Sequence, residues 1–349
     1  MKLIIQIPCL NEEAQLPATL ADLPRVLPGV DSIEVLIIDD GSSDRTVEVA
    51  RELGVHHIVS FPRNRGLSAA HAAGLDACLR LGADLVVNTD ADNQYEGKDI
   101  ATLVAPVVAG KADLVVGDRQ TDTIEHFSFF KKVLQKLGSR MVRRASGTAV
   151  VDSTSGFRAM NRKALLTLFT HNRFTYTLES IIQAGNAGLV LENVAIRTNP
   201  QTRPSRLFKG MFAYVRRQGP VILRSYGLYW PVQTFGLIAT LLSIPSIFLV
   251  ARFFYYYALN PDVSSHVQSL QLGVGGIVLS FLVFLMALLS DLLATNRRLS
   301  EEILRRVRRL DADVNAMRST APVEGVMTTD ALPWNAESTS VETAQDGAS

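Results

Sequence analysis

The stretch 88-NTDADNQYEG-97 sets two carboxylates, Asp90 and Asp92, one residue apart at the end of the apolar run 84-DLVVN-88. In an extended segment residues i and i+2 point to the same side, so Asp90, Asp92 and the amide oxygen of Gln94 could converge on one hard cation. Oxygen-only ligands suit Mg2+ or Mn2+, either of which can bridge phosphate oxygens and offset charge on a leaving group. The same two aspartates would equally suit a turn in which they cap backbone amides.

What surrounds the pair favours phosphate chemistry. The first apolar run, 3-LIIQIP-8, leads into 8-PCLNEE-13 and not into a G-x-G-x-x-G turn, and no G-x-x-x-x-G-K-[ST] loop occurs. Without a glycine cradle, phosphate must be neutralised by a cation or by arginines. Arg119 follows 113-DLVVG-117, Arg158 sits in 155-SGFRAM-160, and Arg203 and Arg206 lie in 202-TRPSRLFK-209. Each could instead bind a lipid headgroup or form a surface ion pair. Glu179, in 176-YTLES-180, is an acid near a helix start, a place the helix dipole favours.

These residues need a frame that brings them to one edge. Residues 1 to about 200 alternate β-branched runs (LIIQIP, 33-IEVLIIDD-40, 57-HIVSF-61, DLVVN, DLVVG) with helix-like segments at 12–23, 44–54 and 66–82. That alternation predicts an α/β domain with a mostly parallel sheet, whose ligands bind beyond the carboxyl ends of the strands. Asn11 and Glu12, Asp39 and Asp40, Asp90 and Asp92, and Asp118 and Arg119 all fall at such ends. The basic segment 130–147 and the segment 174–185 read as further helices.

Tyr226–Val250 and Val267–Ser290 are uncharged apart from the residues that flank them, each long enough for the ~20 residues that cross a bilayer. Arginines and Lys209 crowd before the first run and after the second, whereas Arg252 stands alone between them. The positive-inside bias therefore places both ends of the chain in the cytoplasm. No basic, cleavable leader precedes LIIQIP, and the first domain is expected on the side of synthesis. The expected organisation is a catalytic domain at 1–205, an amphipathic interfacial region at 206–225, two spans within 226–293, a cytoplasmic amphipathic helix at 294–318 and a disordered tail at 319–349. In that helix Leu299, Ile303, Val307, Leu310, Val314 and Met317 recur at spacings of three and four, which predicts self-association.

Taken in order, PCLNEE, IIDDGSSDRT, NRGLSAAHAAGL, NTDADNQ and SGFR resemble the family 2 glycosyltransferases of GT-A fold. Over residues 1–210 and the paired spans, the likeness is to the dolichyl- and polyprenyl-phosphate mannosyl- or glucosyltransferases. The resemblance implies a nucleotide pocket of Pro8, Asn11, Glu12 and Asp40, with Asp39 adjacent. It implies a metal site at Asp90, Asp92 and Gln94, and an active centre that includes Asp92, Arg119, Arg158 and Glu179. Arg203 and Arg206 would grip phosphates, and Arg65 and His71 could belong to the pocket or to a solvated loop and helix.

The implied activity is inverting transfer of a hexose from a nucleoside diphosphate sugar to polyprenyl phosphate at the inner membrane. Two rivals share the motifs: a polysaccharide-extending synthase, and a non-catalytic membrane scaffold that binds nucleotide sugar. The synthase is disfavoured because neither tryptophan follows a Q-x-x-R. A net charge of +1 gives no reason to expect nucleic acid, and two cysteines cannot build a disulfide framework.

Overall fold

The structure, a computed structural model, describes residues 1–120, 142–143, 146–169, 176–199, 231–259, 267–317 and 326–328. Strands β1 (Lys2–Cys9), β2 (Ser32–Asp39), β3 (His57–Ser60), β4 (Leu85–Asn88) and β5 (Leu114–Asp118) form where β-branched runs predict them. β6 (Arg158–Asn161), β7 (Leu191–Ala195) and β8 (Val326–Thr328) complete a sheet of order β7-β5-β6-β4-β1-β2-β3-β8. β1 pairs in parallel with β2 and β4, β2 with β3, and β5 with β7, whereas β6 runs antiparallel between β4 and β5. The three residues of β8, in the stretch expected to be a disordered tail, pair antiparallel with β3.

Helices α1 (Leu16–Asp22), α2 (Thr46–Glu52), α3 (Leu67–Arg80), α4 (Asp99–Val108), α5 (Arg162–Thr167) and α6 (Thr177–Asn186) belong to the same unit. Alternation along β1 explains the layering. Leu3, Ile5 and Ile7 enter a core with residues of α1 and α4, while Ile4 enters a second core with residues of α3 and α5.

At the amino end of the sheet, Glu34 of β2 joins its neighbours. Its carboxylate lies 2.9 Å from Lys2 Nζ and 2.6 Å from His57 Nε2. Burial would raise its pKa, but the hydrogen bonds and charges of His57 and Lys2 prevail and hold it at about 2. A depressed carboxylate contributes stability above its unfolded pKa of about 4.3 and loses it as pH falls through the folded value. Glu34→Gln should therefore lower stability at neutral pH by on the order of 1–2 kcal/mol and flatten the acid loss. Urea midpoints of the detergent-solubilised protein at pH 7 and pH 3 would measure both effects.

The second unit contains α7 (Pro231–Leu259) and the first part of α8 (Val267–Met317), both long and apolar enough to cross a membrane. Gly273, Ser280, Ala287 and Ala294 recur every seven residues on α8, and the last three are buried. A Cβ on Gly273 would come within 2.7 Å of Val250 Cγ2, and Ser280 Oγ donates to the Ala239 carbonyl at 2.7 Å. Small residues thus let the two helix backbones approach, the packing that serves where hydrocarbon surrounds both helices. α8 does not stop at Ser290: the second run and the amphipathic helix expected after it are one uninterrupted helix. The interfacial region 206–225 lies outside the described residues, as does most of the basic segment 130–147.

Candidate active site

Three loops beyond the carboxyl ends of β1, β2 and β3 are stitched together by short polar side chains. Asn11, at φ 56°, takes the backbone N–H of Ser43 on its Oδ1 at 2.8 Å, and the Glu12 N–H donates to Thr46 Oγ1 at 2.8 Å. Asp39 accepts from the Ser42 N–H at 3.0 Å and from Ser60 Oγ at 2.7 Å. Asp40 accepts from the Arg65 N–H at 2.7 Å and the Gly66 N–H at 2.9 Å. Gly41, at φ 75°, allows this closure, because a Cβ there would lie 2.5 Å from the Arg63 carbonyl carbon.

Asn11, Glu12, Asp39 and Asp40, expected around a nucleotide, are therefore gathered at one edge. Asp39 and Asp40 are buried, and their oxygens anchor the loops that form this edge. Pro8 is likewise a buried strand residue, and Glu12, on the loop after β1, is mostly buried. Arg65 is exposed and stacks over Phe61, whereas His71 is enclosed.

Beyond β4 the chain turns at Ala91–Asp92, and Asn93 takes a left-handed φ of 55°. The extended geometry assumed for Asp90, Asp92 and Gln94 does not occur. The Gln94 N–H instead donates to Asp92 Oδ1 at 3.2 Å. Asp90 faces a polar nest: it is hydrogen-bonded to the Tyr95 hydroxyl, which itself accepts the Gly156 N–H at 3.2 Å. Tyr95 is fixed by stacking on Phe157 with ring centroids 4.8 Å apart.

Burial, and then the charge of Asp92, push the Asp90 carboxyl up to about 7, and Arg119 only partly opposes them. Two carboxylates that resist joint ionisation are the electrostatic mark of a site that gains from a bound cation. Both offer hard oxygen donors, which fits Mg2+ or Mn2+. Among the described residues no cluster of three or more histidine, cysteine, aspartate or glutamate side chains could hold a metal. Two aspartates would leave the remaining ligand positions to phosphate and water.

Arg119 directly follows β5 and grips Asp152 with two bonds, Nε to Oδ2 at 2.7 Å and Nη2 to Oδ1 at 3.1 Å, while Nη2 also donates to Thr154 Oγ1 at 2.7 Å. Burial would raise the Asp152 pKa, but Arg119 outweighs it and holds the carboxylate below its usual range. The bidentate grip fixes the guanidinium where its charge partly offsets the upward push on Asp90.

Arg158, expected to act at the reacting centre, is 1% exposed and spends its guanidinium inside the protein. It donates to the carbonyls of Ser155 at 2.9 Å, Ser153 at 3.3 Å and Thr177 at 2.9 Å, and to Ser180 Oγ at 2.5 Å. Its role is to tie the loop before β6 to the start of α6, which carries Tyr176 and the buried Glu179. Tyr176 stacks on His71 at 3.7 Å, and its hydroxyl accepts from Asn88 Nδ2 at 2.9 Å. Burial, aided by Arg158, holds His71 neutral with a pKa of about 3.

A further set of bonds pins the loop from the other side. Asn199 donates its backbone N–H to the Gln94 carbonyl at 2.9 Å and its Nδ2 to the Asn93 carbonyl at 3.0 Å. Tyr95 bridges Thr198, and Arg197 binds Asp99 and Glu96. Asn199→Ala removes one of these bonds, worth about 1 kcal/mol. Amide exchange across residues 93–97 should accelerate about fivefold while β1 keeps its protection. Arg203 and Arg206, a few residues further on, lie outside the described residues.

Residues 4–169 match the family model described as glycosyl transferase family 2. A polyprenol monophosphomannose synthase from Mycolicibacterium smegmatis is 32% identical over 169 residues, covering 46% of this chain and 62% of that one. A UDP-N-acetylglucosamine–dolichyl-phosphate N-acetylglucosaminyltransferase from Methanococcus voltae is 30% identical over 213 residues, covering 55% of this chain and 83% of that one. Among solved structures, glucosyl-3-phosphoglycerate synthase from Mycobacterium tuberculosis, in complex with Mn2+, UDP and glucosyl-3-phosphoglycerate, matches with a TM-score of 0.48 and 22% identity. That match covers 65% of this chain and 78% of the other.

Proposed function

The chain belongs to glycosyl transferase family 2, and from that premise we propose that it transfers a hexose from a nucleoside diphosphate sugar to a polyprenyl phosphate. The observation that carries this reading is the pair Asp90 and Asp92 beside Arg119 at the carboxyl edge of a sheet whose chain also holds two membrane-length helices. The relatives named for polyprenol and dolichyl phosphate support the acceptor class.

Asp90 and Asp92 would hold Mg2+ or Mn2+, whose charge, when it is bound, offsets that of the departing diphosphate. The Tyr95 hydroxyl and the Gly156 backbone orient Asp90, and Arg119 is held by Asp152 close to the same charge. Asn11 and Glu12, on the loops fixed by Asp39 and Asp40, line the donor's nucleotide end. Arg203 and Arg206 are suited to the acceptor's phosphate. With a second pKa near ~6, that phosphate is already dianionic at neutral pH.

Its oxygen forms the new bond to the anomeric carbon as the carbon–oxygen bond to the diphosphate breaks, which inverts the centre. No proton has to be removed from the nucleophile. Glu179 is accordingly given a positioning role on α6, whose start Arg158 ties to the loop before β6. The positive-inside bias sets the catalytic domain and the carboxyl end on the cytoplasmic face of the inner membrane. The experiment is a panel of nucleotide sugars offered to membranes containing the protein with undecaprenyl phosphate. One sugar should enter the organic phase in a chelator-sensitive reaction, and failure of every donor would refute the assignment.

A further inference from the structure

The cytoplasmic half of α8 carries a heptad seam. With Val307 and Val314 at position a, Ile303 and Leu310 fall at d, Ser300 opens the pattern at a, and Met317 continues it at d. The apolar side chains stand open: Ile303 is 62% exposed, Val307 54%, Leu310 64% and Val314 41%. The opposite side of the helix is occupied. Ala312, at position f, is buried, and Arg308, at b, donates to the Leu168 carbonyl at 2.8 Å. The helix is thus seated on its own domain by one face and turns the a/d face away.

We propose that this seam is the binding surface for a second copy of the chain, in a parallel two-stranded coiled coil. Three features select that occupant. β-Branched valine at a with leucine at d, as Val307 and Val314 flank Leu310, favours two parallel strands. In a parallel pair a g residue faces the e residue of the next heptad on the other helix, which sets Arg306 of one copy against Asp311 of the other, twice by symmetry. The preceding g and e positions are Leu299 and Leu304, which extend the apolar seam toward the membrane-length segment. Finally, under the proposed topology both copies of α8 leave the same face of one bilayer, so they emerge parallel. A seam of under three heptads is marginal for free helices, but anchoring in a shared bilayer raises the effective concentration.

Cysteine cross-linking of the full chain in native membranes tests this without donor or acceptor, so its outcome is separate from that of the transfer reaction. Cys9 and Cys78 are buried and should stay silent. Under a mild oxidant, Val307→Cys and Leu310→Cys should yield disulfide-linked homodimer at least about fivefold more than Arg305→Cys at f or Arg309→Cys at c. Asp311→Arg should suppress the Val307→Cys product, and adding Arg306→Asp should restore it. Equal cross-linking at all four positions, none at 307 and 310, or a product whose mass is not twice that of the chain would overturn the proposal.

Discussion

Asp92→Asn is expected to lower metal-dependent hexose transfer by about a thousandfold, because a neutral amide removes the negative charge with which a carboxylate holds a hard divalent cation. The substitution separates two roles. As a turn cap, Asp92 does no more than accept the Gln94 N–H, and asparagine keeps an oxygen that can do the same. A pure cap would therefore cost under about 1 kcal/mol, a few-fold change at most. Initial rates in membranes with labelled donor, normalised to protein, distinguish the two magnitudes. Asp90→Asn should be comparably severe, and additional Mn2+ should restore neither variant.

Gly156→Ala should be the most damaging change outside the two aspartates. A Cβ at this position would lie 2.9 Å from the Tyr176 hydroxyl and 3.2 Å from each oxygen of Asp90. Tyr176 cannot withdraw easily, since His71 is stacked on its ring and Asn88 binds its hydroxyl. The strain is therefore relieved at Asp90, and a displacement approaching 1 Å at a reacting centre costs about a hundredfold in turnover. Overpacking should cost about 1–3 kcal/mol of stability as well. Gly82→Ala supplies the comparison: at φ 75° it pays a backbone penalty of about 1–2 kcal/mol, but nothing lies within 4 Å of its Cβ. The two variants should melt at similar temperatures, while Gly156→Ala alone loses activity.

Much of the frame is legible in the sequence. LIIQIP, IEVLIIDD and DLVVN are β-branched runs too apolar for an exposed face, and their polar ends mark the edge where Asn11, Asp40 and Asp90 gather. β6 was not legible, because RAMN is four residues without a β-branched side chain and forms a strand only by pairing with β4 and β5. The burial of Arg158 is not legible for a related reason. An arginine after glycine and phenylalanine looks available, and its burial depends on carbonyls of Ser153, Ser155 and Thr177 that no local pattern announces.

The roles of Tyr95, Asp152, Gly156 and Asn199 are not legible in the sequence because they are long-range. Tyr95 reaches Gly156 across 61 positions and Asn199 reaches Asn93 across 106. The quoted motif NTDADNQYEG did contain Tyr95, but only the fold shows that its hydroxyl meets Asp90. Along α8 the reverse holds. Its a/d seam is a sequence pattern, and the structure adds that the opposite face is already taken by Ala312 and Arg308.

The most direct test of the central claim is a single stoichiometry. Membranes containing the wild-type chain, undecaprenyl phosphate, Mn2+ and the accepted labelled nucleotide sugar should release one nucleoside diphosphate for each hexose that becomes soluble in organic solvent, and chelation should stop both together. Nucleoside diphosphate released without labelled lipid, label accumulating in polymer, or transfer that persists undiminished in chelator would contradict the account.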